Sequence, residues 1–498
     1  METFPKTTNL KDNNNNLSIA LLGNRFIPDQ TLYEYLIEFL LVFVSAKNED
    51  LNTGKMRFHR MDLGEDCSYW VDPRMGLRRF LFYEKTRKNS CIKFDEYAYK
   101  KHEEILLKRM KDIDDEKALK YLESIQDLLH GYAVVIKKRS WMAQALLPIC
   151  PELIFNDAAP TENKRLKEVK WEENPITVDT KFDMTKHNFL ARGGELYYLH
   201  LLQYLNENSE KREHLERLLS NMLSSHSSKI STMATFIQNS WEEDMGFTKK
   251  ELAQELKLAY IPEEAYKSCE EHAVDELINY LSAEIHPITR IDILAKGVMF
   301  QVMRMMTSAV AQYLSIEKKP WIIDMRGNNA DTVKKIANKG YKAIEADFLT
   351  AINMEADERE IDKSQLFKVT RDAKKASFDI FKAKGKEMQC IIPIKGSFER
   401  MTLSEDIIRF LVLALVAPGE KMTVTTFLKK LYDNYNIVIG PEEYKKSISS
   451  QDLTESLANS FSDNMVAFQQ FLKNTGFLRE LSDATSIVVN PYHNTLED

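Results

Sequence analysis

Apolar residues recur through most of the chain at spacings of three and four, the pattern of helices that bury one face. The clearest run covers residues 288–315. There Ile291, Ala295, Val298, Val302, Met305 and Ala309 step by four and three, which predicts one long helix packed lengthwise against others. Met299, Met303, Met305 and Met306 crowd its middle. Such side chains can line an adaptable partner groove, but the seam spacing points to core. Shorter helices are expected over 195–205, 214–224 and 230–243, with a capping box from Thr248 to Glu251. A further helical stretch covers 103–132, with Leu119, Leu122, Ile125, Leu128 and Leu129 on or near one face, and residues 17–44 are apolar and partly helical. Trp321 to Met325 reads as a strand stopped by Gly327-Asn328-Asn329. Asp324 near its end has the ordinary role of a turn or cap residue.

From Met401 the order of elements changes. Thr402 and Glu405 form a capping box before Ile407, Phe410, Leu411, Ala414 and Leu415, a first helix broken at Pro418-Gly419. A short β-prone run at Met422-Thr423-Val424 precedes a second helix with Phe427, Leu428, Leu431, Tyr432 and Tyr435 on one face. Ile437-Val438-Ile439 stops at Gly440-Pro441. After a polar insertion, Ser462-Asp463 can cap a third helix that buries Met465, Phe468, Phe471 and Leu472. Residues 478–480 and 486–490 then suit the two strands of a wing. This is the order of a winged helix, whose third helix is the usual base reader. Its exposed positions are expected to be Asn464, Gln469, Gln470, Lys473 and Asn474, with Arg479 on the wing. Side-chain amides can pair bidentately with adenine. The segment 401–498, however, holds 8 Lys and Arg against 13 Asp and Glu. Phosphate neutralisation supplies most DNA affinity, so this balance favours docking to protein over docking to DNA.

Composition sets the class. With 498 residues the chain is long enough for about three domains. Gly is 16 of 498, less than half of average usage, which disfavours glycine-spending sheet folds and phosphate-cradling loops. No GxxxxGK[ST] and no GxGxxG is present, so any nucleotide hydrolysis falls to a partner. The expected fold is mainly α with minor β: a multi-helical body followed by a C-terminal winged-helix-like domain. The expected division is an N-terminal α+β domain over 1–155, a linker over 156–185, a helical domain over 186–400 and the winged-helix-like domain over 401–498. An acidic surface stretch is expected at 354–363. Cys67, Cys91, Cys150, Cys269 and Cys390 are scattered, with no CxxC pair, which argues against a disulfide framework or zinc ribbon. With a polar N-terminus and apolar runs too short to span a bilayer, the expectation is a cytoplasmic protein with no membrane partner.

The charge pattern reverses in one place. Between Trp70 and Lys93 lie Arg74, Arg78, Arg79, Lys85, Arg87 and Lys88, interleaved with Phe80, Phe82 and Tyr83 and opposed only by Asp72 and Glu84. Guanidinium groups beside aromatics suit a phosphate backbone or unstacked bases. The bland alternative is an edge strand with aromatics inward and cations outward. Catalytic patterns are weak. Cys269, His272 and Glu276 make one unpartnered helical cluster, and Asp433 with Glu443 and Lys445 only superficially matches the carboxylate and lysine set of a metal-dependent nuclease. No catalytic residue, metal or cofactor is assigned.

Asp72-Pro73-Arg74 through Arg79-Phe80, Asp95 to Tyr99, Arg192 to Leu199 and the winged-helix-like tail together resemble non-ATPase accessory proteins of bacterial anti-phage operons, of the DNA-phosphorothioation-dependent restriction type. The resemblance implies assembly beside an ATPase and a helicase or nuclease on DNA, with no active site to carry over. The expected function is thus a non-enzymatic adaptor or scaffold in a DNA-processing or defence complex, with sequence-independent DNA contact as an accessory role. The alternatives are a metal-dependent nuclease or other nucleic-acid enzyme with dispersed carboxylates, and a winged-helix transcription regulator.

Overall fold

A computed structural model describes residues 2–6, 16–27, 30–45, 56–65, 67–71, 74–86, 93–135, 144–155, 158–160, 182–187, 193–224, 228–246, 254–325, 330–448, 454–481 and 485–495. The chain is mainly helical, with short strands, as the spacing of its apolar residues predicts. In chain order the helices are α1 (Ser18–Leu22), α2 (Leu32–Val44), α3 (Met75–Thr86), α4 (Lys93–Arg109), α5 (Asp115–His130), α6 (Gly193–Leu205), α7 (Ser209–Ser224), α8 (Ser228–Met245) and α9 (Glu270–Ser282). They continue as α10 (Pro287–Tyr313), α11 (Ala330–Glu358), α12 (Lys363–Lys375), α13 (Phe378–Glu387), α14 (Glu405–Leu415), α15 (Val424–Tyr435), α16 (Pro441–Ser447) and α17 (Glu455–Asn474). The strands are β1 (Thr3–Phe4), β2 (Ser68–Val71), β3 (Ala133–Val135), β4 (Gln144–Leu146), β5 (Ala158–Pro160), β6 (Phe182–His187), β7 (Gln254–Lys257) and β8 (Ile261–Pro262), then β9 (Trp321–Ile322), β10 (Ile391–Ile392), β11 (Arg400–Met401), β12 (Lys421–Thr423), β13 (Ile437–Val438), β14 (Leu478–Glu480) and β15 (Ser486–Val489). Among the described residues no helix is long and apolar enough to cross a membrane.

The chain sorts into two compact units, Met1–Pro28 with Arg192–Leu218 and Ala259–Asp498, and Asp29–Ala191 with Leu219–Leu258. These units do not follow the divisions at 156–185 and 401. Residues 401–498 belong with the helical body because α14 packs directly on α9 and α10. At the ends of the stretch expected as a linker, strands β5 (Ala158–Pro160) and β6 (Phe182–His187) pair antiparallel.

In the larger unit, α10 is the hub. Pro287 at its first turn lacks an N–H that the helix could not use there, which fits the start. Ile291, Ala295, Val298, Val302, Met305 and Ala309 are all buried, as are the four methionines, so the methionine face is core. Around α10 pack α1, α6, α11, α13 and α14. Strand β9 (Trp321–Ile322) runs parallel to β13 (Ile437–Val438), with Trp321 opposite Ile437. The tail carries helix, strand, helix, the added β13 and α16, and then helix and two strands. Its sheet has the order β12 (Lys421–Thr423), β15 (Ser486–Val489), β14 (Leu478–Glu480), antiparallel throughout.

Helix starts differ from the expected caps. Ser404, with no side-chain capping bond, precedes α14, and Thr402 Oγ1 instead donates to the Asp324 carbonyl at 2.8 Å. The third helix of the tail begins at Glu455, capped by Thr454, whose side chain accepts from Leu457 N. Ser462, expected to cap it, lies inside and bonds the Ala458 carbonyl. The 103–132 stretch divides into the end of α4 and α5, and the buried face of α5 is Ala118, Leu122, Gln126 and Leu129, leaving Leu119 and Leu128 exposed. Residues 354–358 of the expected acidic surface stretch form the end of α11. The Thr248–Glu251 box lies outside the described residues.

The α10–α14 contact is close because Gly297 faces the Phe410 ring. A Cβ at Gly297 would stand 2.3 Å from a ring atom, and Phe410 is itself held against Tyr280, ring centroids 5.4 Å apart. Overpacking of this kind costs about 1–3 kcal/mol. Gly297→Ala is therefore expected to lower the unfolding free energy by about that amount in urea titrations, and adding Phe410→Leu is expected to recover part of the loss. Equal stability of the single variant and the wild type would contradict the contact.

Candidate functional site

Two segments carry the residues singled out for DNA. On α17, Asn464 is buried rather than exposed: its Nδ2 donates to the carbonyls of Ile323 and Ile439, both at 2.9 Å, and its Oδ1 accepts from Met325 N at 2.7 Å. It satisfies backbone groups just beyond β9 and β13, a structural task. Gln469 is half-buried. Gln470 is exposed and donates to Asn474 Oδ1 at 2.8 Å, and Lys473 Nζ pairs with Glu480 Oε2 on β14 at 2.9 Å. Arg479 is exposed on β14. The outward positions of α17 are thus Glu455, Ser456, Asn459, Val466, Gln470, Lys473 and Asn474, with Val466 57% exposed. This ridge carries amides, Val466, Ser456 and Glu455, with a single cation already engaged by a carboxylate.

The basic stretch folds in a different way from the expected edge strand. Strand β2 (Ser68–Val71) pairs with β7 (Gln254–Lys257), and Met75 onward is helix α3, packed among α4, α5 and α8. Arg78 and Arg79 are only 2% and 1% exposed, so neither presents its guanidinium to a phosphate backbone. Arg79 lies 5.2 Å from the centre of the Trp241 ring, a cation–π contact inside the unit. His102 beside it is pushed down to about 3, first by burial and also by the Arg79 charge, despite its bond to the Ile237 carbonyl at 2.9 Å. Alternation of cations and aromatics has two origins, and here it comes from a helix enclosed on several sides. Arg74 is half-buried at the head of α3 with φ 45°, and its carbonyl accepts from Arg78 N at 2.9 Å. Lys85 is in the last turn of α3, its side chain outside the described set, and Arg87 and Lys88 lie outside the described residues.

The weak catalytic sets do not assemble. Asp433 pairs with Lys429 at 2.6 Å, while Glu443 is buried and Lys445 exposed on the short α16. His272 is exposed and Glu276 buried. Asp324 accepts from Arg400 Nε at 2.6 Å in a buried pair. Among the described residues no group of three or more His, Cys, Asp or Glu is placed to hold a metal.

Sequence reasoning passes over a buried polar cluster in the larger unit. Glu276 of α9 accepts from Gln301 Nε2 of α10 at 2.7 Å, from Tyr435 OH of α15 at 2.7 Å and from Asn434 Nδ2 at 3.0 Å. Arg304, one turn beyond Gln301, stacks 4.7 Å from the Tyr435 ring centre, and its Nη1 donates to the Asn434 carbonyl at 3.2 Å. His200 of α6 is fully buried, edge-on to Tyr266, and is pushed down to about 3 by burial and by the Arg304 charge. The one available signal is Gln301 and Arg304 at i and i+3 within an otherwise apolar helix. Compared with known proteins, the chain matches no family model, no curated protein and no solved structure.

Two outcomes follow. Arg79→Ala removes the cation–π contact and the packed side-chain stem, so it is expected to destabilise the smaller unit by about 2–4 kcal/mol in chemical unfolding. Unchanged unfolding would show that Arg79 is not enclosed. His200 stays neutral when folded but protonates near 6.5 when unfolded, so between about 6.5 and about 3 the unfolded chain holds the extra proton and stability falls as pH falls. His200→Phe is expected to flatten this fall by up to about 1.4 kcal/mol per pH unit below pH 6. Parallel pH profiles for variant and wild type would refute it.

Proposed function

We propose that this chain is a non-enzymatic adaptor or scaffold subunit of a bacterial DNA-processing or anti-phage defence complex. Its tail, arranged as a winged helix with an inserted β13 and α16, docks a partner protein. The observation that carries this reading is the outward ridge of α17, where Val466 is exposed among amides and the one lysine is bound to Glu480. DNA affinity draws mainly on phosphate neutralisation, and a ridge with no spare cation supplies little of it. A central exposed apolar residue rimmed by amides suits a protein interface. The defence context rests on the resemblance of the Asp72–Phe80, Asp95–Tyr99, Arg192–Leu199 and tail segments. It implies an ATPase with a helicase or nuclease as partners, and any DNA contact by this chain is accessory.

The test has two arms. Fluorescent duplex DNA titrated with the full chain at several salt concentrations is expected to show weak binding that Lys473→Ala does not change. Val466→Asp is expected to leave thermal stability nearly unchanged, because the site is exposed. The same substitution is expected to remove the proteins that co-purify with the chain expressed from its own locus. Tight, steeply salt-dependent DNA binding that is lost in Lys473→Ala would contradict the docking role, as would an unaltered set of co-purifying proteins in Val466→Asp.

A further inference from the structure

We propose that the oxyanion group of a small molecule, a carboxylate or a phosphate, binds at the C-terminal end of α15, between Arg304 of α10 and Lys318. Arg304 is 1% exposed. Its Nη1 is engaged with the Asn434 carbonyl and stands 3.6 Å from Glu276 Oε2, beyond hydrogen-bond reach. Its Nε and Nη2 have no partner among the described residues. These two nitrogens share one edge of the guanidinium, the edge that delivers two parallel N–H groups to two oxygens of one carboxylate or phosphate. Glu276 accepts instead from the neutral donors of Gln301, Tyr435 and Asn434 and makes no bond to that edge.

The Lys318 backbone is held at the same place. Its carbonyl accepts from Asn436 Nδ2 at 2.8 Å, so the three residues 434–436 anchor both the Arg304 head and the Lys318 backbone. Arg304 and Glu276 balance in charge, which leaves Lys318 as the surplus cation. Burial first, and the Arg304 charge after it, push its ammonium down to about 8. His200 adds a second buried group, with both ring nitrogens unpartnered among the described residues, and its neutral ring offers one N–H. Unmet donors and surplus positive charge both select an anion. Lys318 and Cys269 are half-buried.

Thermal unfolding of the full chain in acetate, phosphate or chloride at matched ionic strength and pH 7.5 tests this. A saturable rise in Tm beyond that in chloride is expected with acetate or phosphate, and the more effective salt identifies the group bound. Lys318→Met is expected to weaken the half-saturating concentration at least tenfold. Arg304→Lys, which keeps the charge and loses the paired N–H edge, is expected to do the same. A readout on the unmodified protein guards against variants that fail to fold: acylation of Lys318 by an amine-reactive reagent, followed by mass spectrometry, is expected to slow at least threefold in the effective salt. No rise over chloride in either salt, together with an unchanged rate of Lys318 acylation, overturns the proposal.

Discussion

The Glu276 carboxylate is the point on which the larger unit depends. It sits fully enclosed on α9 and draws donors from α10 and from two adjacent residues at the end of α15, so three helices distant in sequence share one anion. Arg304 supplies the countercharge from α10 and is steadied by the Tyr435 ring and the Asn434 carbonyl, at a helix C-terminus where the dipole favours a cation. A buried charge survives only when it is paired and hydrogen-bonded. Loss of one partner of such a pair costs about 3–5 kcal/mol because the other is left uncompensated. The cluster therefore fixes how α15 meets the body, and with it the placement of the whole tail.

Other contacts reinforce the same union. Lys296 of α10 reaches Asp406 of α14 at 2.6 Å, and Asn279 of α9 donates to the Ala414 carbonyl at 2.9 Å. Strand β13 completes a parallel pair with β9, and Asn464 closes the polar groups at the end of that pair. The tail is thus part of the body's core rather than a bead on a linker. One consequence is electrostatic. Arg304 on α10, and Arg78 and Arg79 in the smaller unit, are buried. The exposed face of α17 is left with amides, Val466, Glu455 and one engaged lysine, and the docking role proposed for the tail rests on that distribution.

What the sequence reveals follows from which interactions are local. The seam of α10 and the stripes of α14 and α15 are legible because burial of one helical face repeats every three or four residues. Helix α11 has the same spacing in Val333, Ala337, Tyr341, Ile344, Phe348 and Ile352, all buried, but dense Lys and Glu between them dilute it. The start of α17 is less legible because Thr454 and Ser462 are both plausible caps and only tertiary packing chooses between them. The stretch around Arg79 misleads for a related reason: cations alternating with aromatics fit a wet strand and an enclosed helix equally well. Of the tail residues expected to face DNA, Gln470, Lys473 and Arg479 are exposed as the periodicity of α17 and the β14 strand predicts, whereas Asn464 is claimed by the ends of β9 and β13. The Glu276 cluster joins residues 276, 301, 304, 434 and 435, and no local pattern reports a contact across that separation.

The most direct measurement is native-state hydrogen exchange on Glu276→Ala beside the wild type. If one carboxylate ties α9, α10 and α15 together, amides of all three helices are expected to exchange faster, by a common factor that reflects the loss of one shared unfolding unit. Acceleration confined to α9, with α10 and α15 as protected as before, would contradict the account.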